Sequence, residues 1–339
     1  MKILFLYIYP HFAHAKMAEA LHADFYPASK VSSESNIITG GLSVLKSVFS
    51  IPKNYDVYFC EGTYIIPALA KKLGLLNKNA KIINILATLL LYYIKIGKIR
   101  GLKKHLAIWL LREVDLFIPV SKMEDEILKE FLPDAKSIVV YPKPKKEIAE
   151  DLIKDKKMPA LNSHKILSIG SFSAFYKGMD LVYSAFKMVR KKIPDTELFI
   201  VGEIPDLSKY VNCTEEGIHC LGYVDDKTFK KIIKDSAVYV HMGRGDAFSL
   251  STVEAMLGGL PVIVSEWTGA KEIVKRVNKK LIVKLDAKDL AESIKWYFSL
   301  SNKDRYNLSQ MIKKEAIKFF KNNNLKNFRK RVMKAIRTS

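Results

Sequence analysis

The chain has 339 residues, more than one hydrophobic core of ~250 to 300 residues supports, so two domains are expected. Apolar residues make up 49% and charged residues 27%, which excludes disordered, collagen-like and coiled-coil proteins. The net charge of +21 predicts attraction to phosphate-rich partners, whether nucleic acid, an anionic membrane or nucleotide-linked substrates.

Several sequence features indicate a cytoplasmic protein. The N-terminal run MKILFLYIYPHF lacks the basic region and the cleavage site of a signal peptide, and it predicts a first buried strand. The longest apolar stretch, 82–94, is shorter than the ~20 residues of a membrane-spanning helix. The three cysteines, Cys60, Cys213 and Cys220, are too few and too scattered for a disulfide framework or a zinc site. Each is therefore expected to be a small core residue in a reducing compartment.

The first half of the chain alternates strand-like and helix-like patterns. β-branched or aromatic runs predict strands at 3–9, 57–60, 82–86, 116–120 and 138–141. Helical patterns lie between them, at 13–21, 66–73 and 124–131 and in a long stretch after 86. This alternation predicts βαβ units and a parallel sheet, giving an N-terminal domain over 1–142. The prolines and lysines that follow predict an exposed linker over 143–163.

The second half repeats the same pattern and predicts a second domain over 164–308. Strands are expected at 165–169, 197–201, 218–221, 237–241 and 261–265, with helices at 179–191, 226–234 and 252–258. The chain is helical from 289, and 309–339 forms a basic segment that could return to the N-terminal domain. The predicted fold is thus α/β, with two doubly wound Rossmann-like domains facing a central cleft, where ligands meet the carboxyl ends of the strands.

Five motifs of the second half occur in an order and at spacings that are specific when taken together. They are IG…KGMD at 169–180, LFIVG at 198–202, LGYV at 221–224, DAFSLSTVEAM at 246–256, and GGLPVIVS at 258–265 followed by Gly269 and Glu272. This set resembles the nucleotide-sugar-dependent glycosyltransferases of family 4, strongly over 165–275 and only in architecture before that. The resemblance implies the GT-B fold and a reaction that retains the anomeric configuration.

Lys177 is a candidate catalytic residue on the donor side. Transfer from a nucleotide sugar expels a diphosphate, so positive groups must meet the charge that grows on the leaving group. Lys177 and the N–H groups at the start of the following helix could supply this charge, whereas the alternative is a solvated loop lysine. The family's usual arginine after Gly170 is replaced by Ser171, and Arg244 is a candidate substitute, or else a solvated loop residue.

Two acids eight residues apart, Asp246 and Glu254, are the second candidate element. The resemblance implies that Glu254, expected in the first turn of a helix, binds the ribose hydroxyls. The alternative is structural, because 251–254 also matches a capping box in which Glu254 bonds its own backbone. Asp246 stands where the family has a glutamate that touches the donor sugar near the reacting carbon, and the alternative there is a surface loop acid.

The remaining donor-side residues follow from the resemblance. A turn that is usually rich in glycine is replaced here by residues that bring backbone N–H groups to the phosphates. The predicted donor-binding residues are Gly170, Ser171, Lys177, Gly202, Tyr223, Val224, Arg244, Phe248, Ser249, Leu250 and Glu254. Gly202 and the turn at Tyr223 match positions that cradle the base, although single glycines could equally mean tight turns.

The acceptor side has fewer signals. Family members often carry histidines after two N-domain strands, where this chain has FCEG at 59–62 and Ala87-Thr88. Glu61 could hold or deprotonate an acceptor hydroxyl, or be an exposed strand-end acid. His11 and His14 follow the first strand and could face the same cleft. The family needs no metal, and no metal or other cofactor is expected.

The resulting prediction is a glycosyltransferase that moves a sugar from a nucleoside diphosphate to a glycan or lipid-linked acceptor. The alternatives are a sugar-nucleotide epimerase of the same fold and a degenerate family member that only binds. A nucleic-acid binder is disfavoured because the positive charge spreads over both halves. Residues 89–111 combine apolar and basic residues, which suggests a protein that is peripheral on the inner face of the membrane, or else a core helix with a solvated side.

Overall fold

The structure is a computed structural model that describes residues 1–28, 37–170, 173–323 and 325–337, with the backbone alone over 37–42. The chain forms two compact units. The first comprises Met1–Pro142 together with Asn323–Ser339, and the second comprises Lys143–Asn322. Residues 323–337 therefore belong to the unit that the start of the chain builds.

Each unit contains one parallel β-sheet. The strands are β1 (Ile3–Tyr7), β2 (Asp24–Pro27), β3 (Val57–Glu61), β4 (Lys81–Leu86), β5 (Leu116–Pro119), β6 (Lys165–Ile169), β7 (Glu197–Val201), β8 (Ile218–Cys220), β9 (Val238–His241), β10 (Val262–Ser265) and β11 (Ile282–Val283). The first sheet has strand order β2-β1-β3-β4-β5, and the second has the order β11-β10-β9-β6-β7-β8. The central strands are almost entirely buried and form the two cores, as expected for parallel sheets covered on both faces.

Helices connect the strands. Those described are α1 (Phe12–Leu21), α2 (Ile37–Ser50), α3 (Ile65–Lys72), α4 (Leu90–Lys95), α5 (Gly101–Leu111), α6 (Lys122–Phe131), α7 (Lys146–Lys154), α8 (Met179–Arg190), α9 (Ile204–Leu207), α10 (Asp226–Asp235), α11 (Leu250–Leu257), α12 (Lys271–Val274), α13 (Ala287–Ser299), α14 (Asn302–Asn322) and α15 (Phe328–Arg337). α15 buries Phe328, Val332 and Ile336 and packs against α1 within the first unit. No helix in the described ranges is long and apolar enough to cross a membrane.

The predicted strand at 138–141 does not form. This segment runs beside β5, where Ile138 N–H donates to Phe117 O and Val140 N–H donates to Pro119 O. Only one isolated bridge, between Phe117 and Ser137, is made. Pro119 lacks the N–H that would complete the ladder between these two bonds, and this explains why the pairing stops.

Residues 143–163, predicted as an exposed linker, instead contribute a packed helix to the second unit. α7 buries Ile148, Ala149 and Leu152 and packs against α11. The buried ammonium of Lys234 donates to the backbone carbonyl of Lys157 at 2.5 Å and so holds the end of this segment. The prolines and lysines do make this segment polar on one side. The spacing of its apolar residues at 148, 149 and 152, however, produces an amphipathic helix, which packs instead of forming a linker.

The prediction for the cysteines was wrong for two of the three. Cys213 and Cys220 form a disulfide bond, whereas Cys60 is a free buried thiol, as expected. The two bonded residues are only seven apart in sequence. The turn between α9 and β8 brings them together, and sequence spacing alone does not specify such proximity.

Candidate active site

The carboxyl ends of β6 and β9 form the topological switch point of the second sheet. β6 is the first strand of this unit, and it lies between β7 on one side and β9 on the other. The chain leaves β6 and β9 in opposite lateral directions, which opens a crevice beyond their ends. Lys177 follows β6 and Asp246 follows β9, so both predicted catalytic residues of this unit lie at that crevice.

Lys177 is positioned by a glycine that no other residue could replace. Gly178 has φ +73° and precedes the first residue of α8, and a Cβ at this position would lie 2.1 Å from the carbonyl oxygen of Met242. The loop after β6 therefore packs directly on the loop after β9. Tyr176 strengthens this contact, because its hydroxyl donates to the carbonyl oxygen of Gly245 at 3.0 Å.

A buried ion pair joins the two loops. Lys177 Nζ lies 2.6 Å from Asp246 Oδ2, and the lysine side chain is only 16% exposed. Burial alone would raise the pKa of Asp246, but the charge of Lys177 and a hydrogen bond with His241 outweigh burial and lower this pKa far below its ordinary range. Asp246 is thus an ionised carboxylate, and Lys177 is the positive charge nearest to it.

His241, at the end of β9, is a site residue that the sequence analysis missed. Its Nε2 lies 2.8 Å from Asp246 Oδ2, and its side chain is fully buried. Burial lowers the pKa of His241 more than Asp246 raises it, so the imidazole is neutral. Because an ionised carboxylate only accepts hydrogen bonds, the proton of the neutral ring lies on Nε2. His241 therefore donates to Asp246 and fixes its orientation.

The surroundings of this pair leave little freedom for either side chain. A Cβ at Gly243 would lie 2.7 Å from Asp246 Cβ and 2.9 Å from His241 Nε2, which requires glycine there. Phe248 N–H donates to Asp246 Oδ1 at 3.3 Å. On the far side of the imidazole, the hydroxyl of Tyr239 lies 3.4 Å from Nδ1. The sequence did contain a clue to this pair. His241 ends a predicted strand five residues before Asp246, and a short loop of that length can fold back and place the acid beside the end of its own strand.

Glu254 does not form the capping box that its sequence suggested. α11 begins at Leu250, so Glu254 lies in the second turn and not in the predicted first turn. Its carboxylate makes no hydrogen bond or ion pair within the part of the chain that the structure describes. Burial, together with the charge of Asp226, raises its pKa to about 7, and the weaker effect of Lys145 opposes this. A half-buried carboxylate with unused acceptor capacity is what binding of ribose hydroxyls requires.

The turn before α11 holds an unusual backbone conformation. Ser249 has φ +68° and ψ 87°, a left-handed region that glycine adopts more readily, at a cost of ~1 to 3 kcal/mol for other residues. Its hydroxyl lies 2.8 Å from Thr252 Oγ1, and the hydroxyls of Ser251 and Tyr239 are 2.9 Å apart. Ser249 provides no side-chain cap for the helix. The first N–H groups of α11 are therefore left to other acceptors, as the prediction of phosphate contacts needs.

Two predicted donor-binding residues are engaged elsewhere. Arg244 makes a two-pronged ion pair with Asp180, at 2.8 and 2.7 Å, and its guanidinium also lies over the Phe175 ring. The Phe248 ring is buried and stacks on Phe319 of α14. Arg244 thus fastens the loop after β9 to α8, and Phe248 can offer a donor only its backbone.

Most of the remaining predicted residues follow β6, β7 and β8, whereas Leu250 follows β9 as the first residue of α11. Gly170 and Gly202 follow β6 and β7 directly, and Gly202 N–H donates to the carbonyl of Gly222 at 3.0 Å. Tyr223, next to this contact, is 64% exposed, whereas Val224 and Leu250 are half-buried. Ser171 lies outside the described residues.

The first unit places its polar residues at the equivalent position of its own sheet. β1 lies between β2 and β3, so its switch point is between β1 and β3. Glu61 ends β3, and its Oε1 lies 2.6 Å from Nδ1 of the buried His14. The backbone N–H of His11 also points to the Glu61 carboxylate, at 3.2 and 3.3 Å. The structure thus brings together the three acceptor-side candidates.

The second unit contains most of what this chain shares with known sequences. A family model described as Glycosyl transferases group 1 matches residues 163–299, which contain the five motifs. An uncharacterized glycosyltransferase of Methanocaldococcus jannaschii is 27% identical over 224 residues, 63% of this chain and 52% of that protein. The phosphatidyl-myo-inositol mannosyltransferase of Mycolicibacterium smegmatis is 27% identical over 128 residues, 37% of this chain and 33% of that protein. The chain thus spans from a third to about half the length of these relatives.

Solved structures match the whole chain. Sucrose-phosphate synthase of Thermosynechococcus elongatus aligns with a TM-score of 0.69 and 16% identity, over 100% of this chain and 98% of that one. HepE of Anabaena, solved with UDP and glucose, aligns with a TM-score of 0.66 and 16% identity over 100% of both chains. OtsA aligns with a TM-score of 0.71 and 12% identity over 99% of both. These likenesses confirm the predicted GT-B fold. The sequence matches support a group 1 glycosyltransferase, which is compatible with the predicted resemblance to family 4.

Proposed function

We propose that this chain, whose residues 163–299 match the family model of group 1 glycosyltransferases, transfers a sugar from a nucleoside diphosphate sugar to a glycan or lipid-linked acceptor with retention of configuration, as in family 4. The observation that carries this proposal is the buried Lys177–Asp246 pair at the switch point of the second sheet. The binding of UDP and glucose by HepE, which has the same fold, supports a nucleotide-sugar donor.

Each donor-side residue then has a separate task. Lys177 binds the diphosphate and stabilises the negative charge that develops as the bond between the anomeric carbon and the phosphate oxygen breaks. Asp246, oriented by His241, accepts hydrogen bonds from the sugar hydroxyls near that carbon. Glu254 accepts hydrogen bonds from the ribose, and the N–H groups at the start of α11 bind phosphate oxygens. No metal is required in this scheme, because Lys177 and the helix N-terminus supply the positive potential.

On the acceptor side, Glu61 accepts a hydrogen bond from the attacking hydroxyl. A new bond forms between this oxygen and the anomeric carbon, while the diphosphate leaves with the electron pair of the broken bond. The hydroxyl proton passes to Glu61 or to the departing diphosphate. His14, 2.6 Å from Glu61, holds the carboxylate in place.

The test uses a panel of radiolabelled uridine, guanosine, adenosine and thymidine diphosphate sugars with lipid and glycan acceptors. The proposal expects release of the nucleoside diphosphate together with a labelled product whose anomeric configuration, read by NMR, matches that of the donor. Asp246→Asn should abolish this product. Asp195→Asn is the matched control, since this exposed acid pairs with His164 outside the site.

Other outcomes of the same experiment have distinct meanings. An inverted product would contradict retention while leaving the transferase activity intact. An isomerised sugar nucleotide without transfer would identify an epimerase. Binding of one nucleotide with no turnover of any donor would identify a member that only binds.

A further inference from the structure

The outer face of α5 carries large apolar residues that remain substantially exposed in the structure. Leu102 is 84% exposed, Leu106 is 50% exposed and Trp109 is 45% exposed. Their spacing of four and three residues places them within about 60° of one another around the helix axis. They form a single apolar stripe along the helix.

The opposite face of α5 is apolar as well. Leu111, about 180° from Leu102 around the helix axis, is buried in the first unit. A helix that is apolar on both sides is unusual at a protein surface, where the outward side is normally polar. Single exposed leucines need no explanation, but a continuous stripe marks a surface that contacts something else.

The two neighbouring helices extend this surface. α2 packs against α3, and α3 packs against α5, so the three helices lie side by side in one layer. Leu45 and Phe49 of α2 are 45% and 60% exposed, and Leu73, directly after α3, is 55% exposed. We call the exposed side chains of α2, α3 and α5, together with Leu73 after α3 and Arg112 after α5, the outer layer.

Basic residues outnumber acids in this region, although several of the lysines pair with acids that follow Arg112 in the sequence. The sequence from Gly62 to Arg112 contains ten lysine and arginine residues and no aspartate or glutamate. α2, over Ile37–Ser50, also contains no acid. Lys103 and Arg112 are exposed on the two sides of the α5 stripe. Lys72 lies over the Trp109 ring, 4.1 Å from its centroid, and pairs with Glu113 at 2.6 Å.

We propose that the outer layer docks on an anionic lipid surface. Apolar side chains flanked by cations are suited to this partner, because the stripe enters the boundary between headgroups and acyl chains while the cations remain at the phosphates. A second copy of the chain would bring the same positive charge against itself. A nucleic acid would satisfy the cations but leave the leucines in water. This inference concerns a partner of the first unit and does not depend on the proposed transfer reaction.

The experiment is co-sedimentation of the full chain with vesicles of phosphatidylcholine alone or with added phosphatidylglycerol, without any sugar donor. Binding is expected only with phosphatidylglycerol and should weaken as salt rises from about 0.05 to about 0.5 M, concentrations chosen to shorten the screening length. Brominated acyl chains should quench the fluorescence of Trp109, and Trp109→Phe should remove that quenching.

Two pairs of variants separate the apolar and the cationic contributions. Leu102→Asn with Leu106→Asn is expected to lower vesicle affinity roughly tenfold, and Lys103→Glu with Arg112→Glu to lower it by a similar or larger factor. The matched controls lie in the second unit. They are Met188→Gln with Met311→Gln, whose residues are 44% and 49% exposed, and Lys192→Glu with Lys231→Glu, which change the net charge equally.

Vesicle binding that is unchanged in both double variants of α5 would overturn the proposal. A loss of binding in Lys192→Glu with Lys231→Glu, but not in the α5 variants, would overturn it too, because binding would then depend on net charge and not on the outer layer. Absence of binding to any vesicle would also overturn it. So would a dimer, measured by light scattering, that the α5 variants dissociate. Circular dichroism of each variant shows that it remains folded. Because none of these measurements uses a donor, failure here leaves the transferase proposal standing, and the reverse also holds.

Discussion

Replacing Glu254 by glutamine should change nucleotide affinity and protein stability in opposite directions. The side chain keeps its shape but loses its charge, and it has no cap or ion pair to lose among the described residues. If Glu254 binds ribose hydroxyls, the variant exchanges a hydrogen bond to a charged group, worth ~1.5 to 3 kcal/mol, for a neutral one of about 1 kcal/mol. Affinity for the preferred nucleoside diphosphate should therefore fall by about twofold to thirtyfold at pH 8.

The effect on stability follows from the pKa of Glu254. Burial raises this pKa from 4.5 to about 7, so the folded protein holds this proton more tightly than the unfolded chain does. Below pH 4.5 the carboxyl is neutral in both the folded and the unfolded chain, so its burial has little effect on stability. As pH rises from 4.5 to 7 the unfolded chain ionises this group before the folded protein does, which destabilises the fold by an amount that levels off above pH 7. The interval between the two pKa values, at ~1.4 kcal/mol for each pH unit, corresponds to about 3.5 kcal/mol. Glu254→Gln should therefore stabilise the protein at pH 8 by up to about this amount and hardly at all at pH 4.5.

The assay combines urea unfolding at pH 4.5 and pH 8 with calorimetric titration of nucleoside diphosphates. Glu292→Gln, an exposed acid on α13, is the control and should leave the affinity unchanged. Unchanged nucleotide affinity in Glu254→Gln would refute the ribose assignment. A loss of stability at both pH values would show that the carboxylate has a structural partner, contrary to the geometry described above.

Three further predictions concern the same site. Lys177→Ala should lower kcat by at least tenfold with a smaller change in donor Kd, because its charge matters most as the diphosphate leaves. A change in Kd, measured by calorimetry, as large as the change in kcat would contradict this. His241→Ala should lower kcat by about tenfold, and His241→Gln should recover part of it, because the glutamine amide can donate to Asp246 where Nε2 does; steady-state kinetics of folded variants decide. Turnover should be unchanged after dialysis against EDTA, and a loss restored by Mg²⁺ or Mn²⁺ would refute the metal-free scheme.

The architecture could be predicted because it depends on local patterns. Both sheets, and the positions of Lys177 and Asp246 after their strands, follow from alternating apolar runs. β2, over Asp24–Pro27, was missed because this short edge strand contains proline and lacks a buried face. α2 was missed as well, because Gly40 and Gly41 interrupt its pattern.

The chemistry of the site was predictable only where a motif existed. Asp246 and Glu254 could be found in this way, but the shifts of their pKa values could not. The low pKa of Asp246 and the raised pKa of Glu254, about 7, depend on burial and on neighbours that only the tertiary structure brings together. His241 carried no motif and depends on the loop that returns Asp246 to the end of its own strand. For Arg244 the sequence position was misleading. It suggested a phosphate contact, whereas in the structure the guanidinium pairs with Asp180.

The return of α15 to the first unit has a consequence for how the chain folds during synthesis. α15 covers α1, the helix that carries His14, yet it leaves the ribosome only after every residue of the second unit has done so. The second unit can therefore complete its core while the first still exposes the apolar surface that Phe328, Val332 and Ile336 will cover. The domain that begins the chain is thus the last to finish, and during that interval its α1 surface is open to chaperones or to association with other unfinished chains.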